Sequence, residues 1–152
     1  MAEAQQPQQN EEAQQVIQIM HDHFMGQFKD SSKAVAAINY IGENLKDPGF
    51  KLIRFGEVVF TVNVTEPQTV EFHAMIGGRK SEKEKLEVLD KELDKLIKYL
   101  PKIGVRLAMT AMPDDKVKIF EKILEEYKFK KYKFDKDGKP MTAFYIGVGD
   151  GA

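Results

Sequence analysis

The stretch "TVEFHAMIGGRKSEKEKLEVLDKELDKLIKYL", residues 69–100, changes its hydrophobic period at a pair of glycines. Its first eight residues alternate and are rich in β-branched and aromatic side chains, which predicts a strand. After Gly77 and Gly78, leucines recur every three or four residues among lysines and glutamates, which predicts an amphipathic helix. The apolar segment at residues 103–111 predicts a second strand. We therefore expect two parallel strands joined by a right-handed helical crossover.

The remainder of the chain predicts elements on both sides of this unit. Two helices are expected before it, the first with one apolar face and the second capped by Ser31 or Ser32, followed by two strands at 50–55 and 57–64. A helix at 113–127 and a hairpin turned at Asp137–Gly138 are expected after it. The apolar face predicted for the first helix comprises Ala13, Ile17, Met20, Phe24 and Phe28. The order predicts one α+β domain with a mixed, mostly antiparallel sheet and helices on both faces.

Composition limits the class of protein. A chain of 152 residues fits one domain, and a formal net charge of -1 argues against a surface that is basic throughout. The chain has no cysteine, which excludes disulfides and thiolate chemistry. The sequence shows no apolar run long enough to span a membrane and no secretory signal, so a cytoplasmic location is expected. Residues 1–12 are rich in Gln and predict a flexible tail before a domain at 13–152.

The loop between the central strand and helix has two interpretations. Gly77 and Gly78 followed by cations, at a helix N-terminus, have the ingredients of a phosphate site. Ser81 and Glu84 have the spacing of a capping box, which satisfies the same backbone donors internally. Both interpretations stay open on the sequence alone.

From about Ala13 to Val148 the order of elements resembles the GNAT superfamily of acyl-CoA-dependent N-acyltransferases. The resemblance implies a last meander strand that splays from its parallel neighbour, with acyl-CoA in the splay. The family's usual first strand has no counterpart here, and small GNAT-like proteins of tailed phages are similarly abbreviated. The resemblance therefore suggests a phage protein, in the host cytoplasm or the virion.

The resemblance also implies a site, with acetyl-CoA as the cofactor and an amine as the acceptor. Glu71 and His73 are the candidates for the catalytic base. The family's catalytic tyrosine is replaced by Phe120, which leaves Tyr127 as the candidate acid. The family's glycine motif does not occur in its usual order, so the alternative is a degenerate, non-catalytic member that binds a protein partner. The implied cofactor-binding residues are Met75, Ile76, Gly77, Gly78, Arg79, Lys80 and Ser81.

Two further motifs have simpler interpretations. In "HDH", residues 21–23, the histidines are two positions apart and point in different directions on a helix, so no metal site is expected. The run "YKFKKYKFDKDGK", residues 127–139, interleaves aromatics with six lysines, which can bind single-stranded nucleic acid. On an edge strand the same lysines prevent edge-to-edge pairing, and the sequence favours this second interpretation.

Overall fold

The computed structural model describes residues 2–78 and 81–149, with side chains described from Glu11 onwards. Four helices and six strands follow one another in the predicted order, with a short 3₁₀ turn after the third helix and another before the fourth. The elements are α1 (Ala2–Phe28), α2 (Ser31–Asn44), β1 (Phe50–Phe55), β2 (Val58–Glu66), β3 (Thr69–Ile76), α3 (Glu82–Tyr99), β4 (Leu107–Pro113), α4 (Val117–Glu126), β5 (Lys130–Lys136) and β6 (Lys139–Gly147).

The six strands form one mixed sheet in the order β1-β2-β3-β4-β6-β5. All neighbours are antiparallel except β3 and β4, which α3 connects in parallel. This parallel pair has partners at only three positions, Thr69–Glu71 against Leu107–Met109. From Phe72 onward β3 keeps its register with β2 while β4 diverges. The predicted fold class is confirmed, and the sheet has the expected splay.

Helices cover both faces of the sheet. On one face α3 and α4 bury the main core, which includes Phe60, Phe72, Leu93, Leu96 and Phe144. On the other face α1 and α2 pack over β1–β3 through a smaller cluster of Met20, Ile41, Val59 and Met75.

The apolar face predicted for α1 is wrong at Ala13, Ile17 and Phe28, which are exposed, the last two at 50% and 38%. Met20 and Phe24 pack toward the sheet as predicted, together with Ile19, which the predicted face did not include. Gly77 explains the position of Ile19, because a Cβ at this glycine would lie 3.0 Å from Ile19 Cγ1 and 3.2 Å from its Cα. The absence of a side chain at Gly77 lets α1 approach β3 along the Ile19 face.

Local caps and turns follow the sequence with one correction. The capping box of Ser81 and Glu84 is present at the start of α3. At α2 the N-cap is Asp30, whose carboxylate accepts from Lys33 N at 3.2 Å, and the predicted serine cap is wrong. The hairpin turn has positive φ at Asp137 (52°) and Gly138 (82°), as a two-residue type I′ turn requires.

An ion pair connects α1 to the first hairpin of the sheet. The helical backbone of α1 runs through the Gln-rich segment, and Glu12 forms an ion pair with Arg54 of β1 at 2.9 Å. The hydrogen bond to Glu12 raises the pKa of Arg54. The flexibility of residues 1–12 stays a prediction. Within residues 2–78 and 81–149, no helix combines the length and apolarity needed to cross a bilayer.

Candidate functional site

A cavity of about 550 Å³ opens where β3 and β4 separate. Its walls come from the edge of β3 that faces β4, the C-terminal half of β4, the apolar faces of α3 and α4 and the last turns of α1. The apolar lining includes Phe72, Ala74, Ile76, Leu86, Leu89, Leu93, Met112, Ile119, Phe120, Ile123 and Leu124. The polar lining comprises His23, Gln27, His73, Glu82, Lys85, Thr110 and Lys116. The volume lies in the range of small-molecule sites, and the mostly apolar walls suit a slender, partly apolar ligand.

Two of the candidate catalytic residues form a contact beside this cavity. Glu71 and His73 project from the same face of β3, and His73 Nε2 lies 3.2 Å from Glu71 Oε1. The hydrogen bond from His73 lowers the pKa of Glu71, and the charge of Lys136 lowers it further. His73 lines the cavity, whereas Glu71 lies behind it along the strand. The pair can therefore present an imidazole to the cavity with a carboxylate orienting it.

The candidate acid does not reach the cavity. Tyr127 lies at the C-terminal end of α4, and its hydroxyl donates to the backbone carbonyl of Asp90 at 2.6 Å. Burial raises the pKa of Tyr127 to about 12, with a contribution from Asp90. The side chain packs against the main core, and its hydroxyl is bonded to the backbone of α3. In this geometry the hydroxyl bonds within the protein, and a role for Tyr127 as an acid stays a prediction.

The glycine loop has its backbone donors engaged by the protein itself. Gly77 N donates to Glu57 O at 3.1 Å, and Gly78 N donates to Asp22 Oδ2 at 3.1 Å. Ser81 N donates to Glu84 Oε1 at 3.2 Å as part of the capping box. These three N–H groups are the ones that a phosphate group would need.

Asp22 is the unexpected partner in this loop. It belongs to the "HDH" motif, 56 positions before Gly78, and its other carboxylate oxygen accepts from Gln18 at 2.8 Å. Gly78 has a φ of 80°, a left-handed conformation that suits glycine. The carboxylate of Asp22 thus accepts from a backbone N–H that the phosphate-site interpretation of the loop would need.

The other predicted cofactor residues divide between two sides of the sheet. Ile76 lines the cavity, whereas the Met75 side chain is buried in the smaller cluster beneath α1 and α2. Arg79 and Lys80 lie outside the described residues. The structure therefore brings Ile76 and His73 together at the cavity and turns the Met75 side chain away.

Of the seven polar residues that line the cavity, the sequence predicted only His73, and the six that it missed include His23, Lys85 and Lys116. Burial lowers the pKa of His23 to about 4, and the charge of Lys85 lowers it further. His23 is therefore neutral at pH 7. It follows Ile19 by one helical turn, so a correct assignment of the inward face of α1 would have identified it. Among the described residues no three His, Asp or Glu side chains cluster as metal ligands.

Asp114 precedes α4 and bonds to the sheet rather than to the start of the helix. Its carboxylate accepts from the hydroxyl of buried Thr142 on β6 at 2.7 Å, and no side-chain cap forms at α4. This hydrogen bond connects the 3₁₀ turn before α4 to strand β6.

Comparisons with known proteins bear on the fold. No protein-family model and no curated protein sequence matches the chain. A solved structure of a chimera of the Vibrio cholerae spermidine N-acetyltransferase SpeG and hSSAT is similar with a TM-score of 0.59 and 10% identity, over 87% of this chain and 88% of that one. The Salmonella typhimurium putative acetyltransferase yncA, solved with its cofactor acetyl-CoA, is similar with a TM-score of 0.55 and 12% identity, over 78% of this chain and 76% of that one. The fold is that of GNAT acetyltransferases.

Proposed function

We propose that the protein is an acyl-CoA-dependent N-acyltransferase whose thioester arm enters the splay between β3 and β4. The observation that carries this proposal is the cavity itself, which is lined by a strand edge on one side and by apolar helix faces on the other. A pantetheine arm alternates amide groups with methylenes. Its amides match the free backbone groups of β3, and its methylenes match the leucines of α3.

The cavity fits the pantetheine arm well, whereas the glycine loop is an incomplete site for the pyrophosphate. Ile76 borders the arm's path, and Gly77, Gly78 and Ser81 lie where the diphosphate would follow. Binding there requires Asp22 to release Gly78 N, because one N–H cannot serve both anions at full strength. Arg79 and Lys80 complete the proposed set of cofactor-binding residues, because their positive charges complement the diphosphate.

The proposed chemistry uses the residues of β3. Bound acetyl-CoA supplies an activated thioester carbonyl. His73, oriented by the Glu71 carboxylate at 3.2 Å, takes a proton from the acceptor ammonium and leaves a nucleophilic amine. The amine forms the C–N bond as the C–S bond breaks. The nitrogen then loses its second proton, and the departing thiolate takes one up. The described lining contains no tyrosine for that last transfer, so we assign it to solvent or to the ammonium groups of Lys85 and Lys116.

A second candidate is a non-catalytic protein with this fold that acts through its surface, for example in a phage particle. The engaged donors of Gly77, Gly78 and Ser81 favour it, as does the acidic start of α3 at Glu82 and Glu84. The position of Tyr127 outside the cavity also supports it.

Isothermal titration with acetyl-CoA separates the two candidates. We expect micromolar binding that is lost in Ala74→Leu, which fills the cavity beside β3, and retained in Ala36→Leu, an exposed alanine of α2. His73→Ala should retain binding but lose about 10²-fold or more in thiol release with an amine panel. Absence of binding at millimolar acetyl-CoA would reject the acyltransferase and leave the second candidate.

A further inference from the structure

The β5–β6 hairpin distributes its lysines unequally between its two faces. On the face toward α4, Lys131 is paired with Glu121 at 3.3 Å and with Glu125 at 3.4 Å. Lys133 on the same face lies 3.8 Å from Asp114. The positive charges on this side are therefore compensated within the protein.

The opposite face, which we call the open face, carries Lys130, Lys136 and Lys139. All three are exposed, and none forms an ion pair with another described residue. Lys136 and Lys139 stand opposite each other in register at one end, and Lys130 stands opposite Tyr145 at the other. The seven residues from Lys130 to Lys136 span roughly 20 Å along the strand.

An aromatic cluster fills the space between these cations. The Tyr132 ring lies 5.9 Å from that of Phe134 and 5.8 Å from that of Tyr145, measured between centroids. Tyr132 is 48% exposed. Because α1 packs on β2 and β3, it leaves this end of the sheet with its rings accessible.

Edge protection explains the lysines but not this arrangement. A strand that only has to avoid pairing needs charge along its edge, and an exposed ring cluster on one face opposes that purpose. Cations at both ends of an exposed aromatic cluster instead complement a polyanion that carries planar, stackable groups. The formal net charge of -1 indicates that such binding is confined to this face.

We propose that the open face of the β5–β6 hairpin binds single-stranded nucleic acid, with bases stacking on Tyr132 and its neighbours and phosphates contacting Lys130, Lys136 and Lys139. None of these residues lines the cavity, so the binding can be measured apart from acetyl-CoA. Lys136 also acts on the proposed chemistry, because its charge lowers the pKa of Glu71. Three phosphate contacts predict a slope of about −2 for the logarithm of affinity against the logarithm of salt concentration. Affinity should therefore fall about 20-fold between 50 and 200 mM salt.

Fluorescence anisotropy with a labelled oligothymidylate of about 12 nucleotides tests the proposal on the full chain. The triple variant Lys130→Gln, Lys136→Gln, Lys139→Gln should abolish the salt-dependent binding. Its matched control, Lys131→Gln with Lys133→Gln, removes lysines from the same strand whose charges are already paired, and it should retain the slope. The circular dichroism spectrum of each variant should match that of the wild type, which would exclude unfolding as the cause of any loss.

A tyrosine pair tests the stacking contribution. Tyr132→Ala should weaken binding by between about 5-fold and about 150-fold, whereas Tyr40→Ala, on a tyrosine that is 70% exposed on α2, should leave it unchanged. Equal losses in both lysine variants, or a flat salt response, would overturn the proposal. So would poly-glutamate or duplex DNA competing as well as the single strand, because neither presents accessible bases.

Discussion

Replacing Asp22 by alanine should have opposite effects on stability and on cofactor affinity. The carboxylate accepts the hydrogen bond of Gly78 N at 3.1 Å from a partly buried position. A hydrogen bond to a charged group contributes about 1.5–3 kcal/mol, and partial exposure puts this one at the lower end. Asp22→Ala should thus lower the free energy of unfolding by about 1.5 kcal/mol. Acetyl-CoA no longer has to displace the carboxylate, so its affinity should rise about 10-fold.

Chemical denaturation and isothermal titration on the same preparations measure the two effects. Asp22→Asn keeps an acceptor oxygen but not the charge. Its stability and its acetyl-CoA affinity should both lie between those of the wild type and Asp22→Ala. Amide exchange at Gly78 should accelerate in Asp22→Ala, which reports the freed N–H directly. If acetyl-CoA affinity falls or stays constant in Asp22→Ala while stability drops, the carboxylate does not compete with the diphosphate, and our reasoning about the loop is refuted.

Three other substitutions test separate parts of the structure. His23 has a pKa near 4 when folded and 6.5 when unfolded. The unfolded chain therefore binds the extra proton between these values, and stability should fall by about 2 kcal/mol from pH 7 to pH 5. Denaturation at both pH values should show this loss in wild type and not in His23→Gln. Tyr127→Phe removes the bond to Asp90 O and should lower stability by about 1 kcal/mol without changing acetyl-CoA binding; weaker binding would return Tyr127 to the site. Gly56→Ala should lower the midpoint of thermal unfolding more than Gly104→Ala does. Both have positive φ, but only at Gly56 would a Cβ meet Glu92, at 2.6 Å from Oε2; equal effects would mean that Glu92 moves freely.

The sequence predicts the elements and their order because periodicity and turn chemistry are local. The leucine stripe of α3, the capping box at Ser81 and the turn at Asp137–Gly138 are examples. The inward face of α1 was not predictable in this way. Its apolar residues occupy two overlapping faces, and the choice between them depends on Ile19 meeting a glycine 58 positions later.

The site was predictable only where it lies on one strand. Alternation along β3 places Glu71 and His73 on a common face, and the structure has them in contact. The bond between Asp22 and Gly78 joins residues 56 apart, and nothing in either local sequence indicates it. The cavity residues His23, Lys85 and Lys116 come from three different helices or their ends, so only the packing of the helices reveals them together.

The splay also has a mechanical consequence. Because only three register positions join β3 to β4, the sheet consists of two three-stranded leaves, β1-β2-β3 and β4-β6-β5, connected by a narrow hinge at Thr69–Glu71. Hydrogen-bonded ladders join the strands of each leaf, with a register shift between Val64 and Glu66 of β2. Each leaf should therefore move largely as one unit, while the angle between the leaves depends on α3, α4 and whatever fills the wedge. A molecule lodged in the wedge would set that angle. Its binding would then move the outermost strand of each leaf, which lies far from the atoms that the molecule contacts.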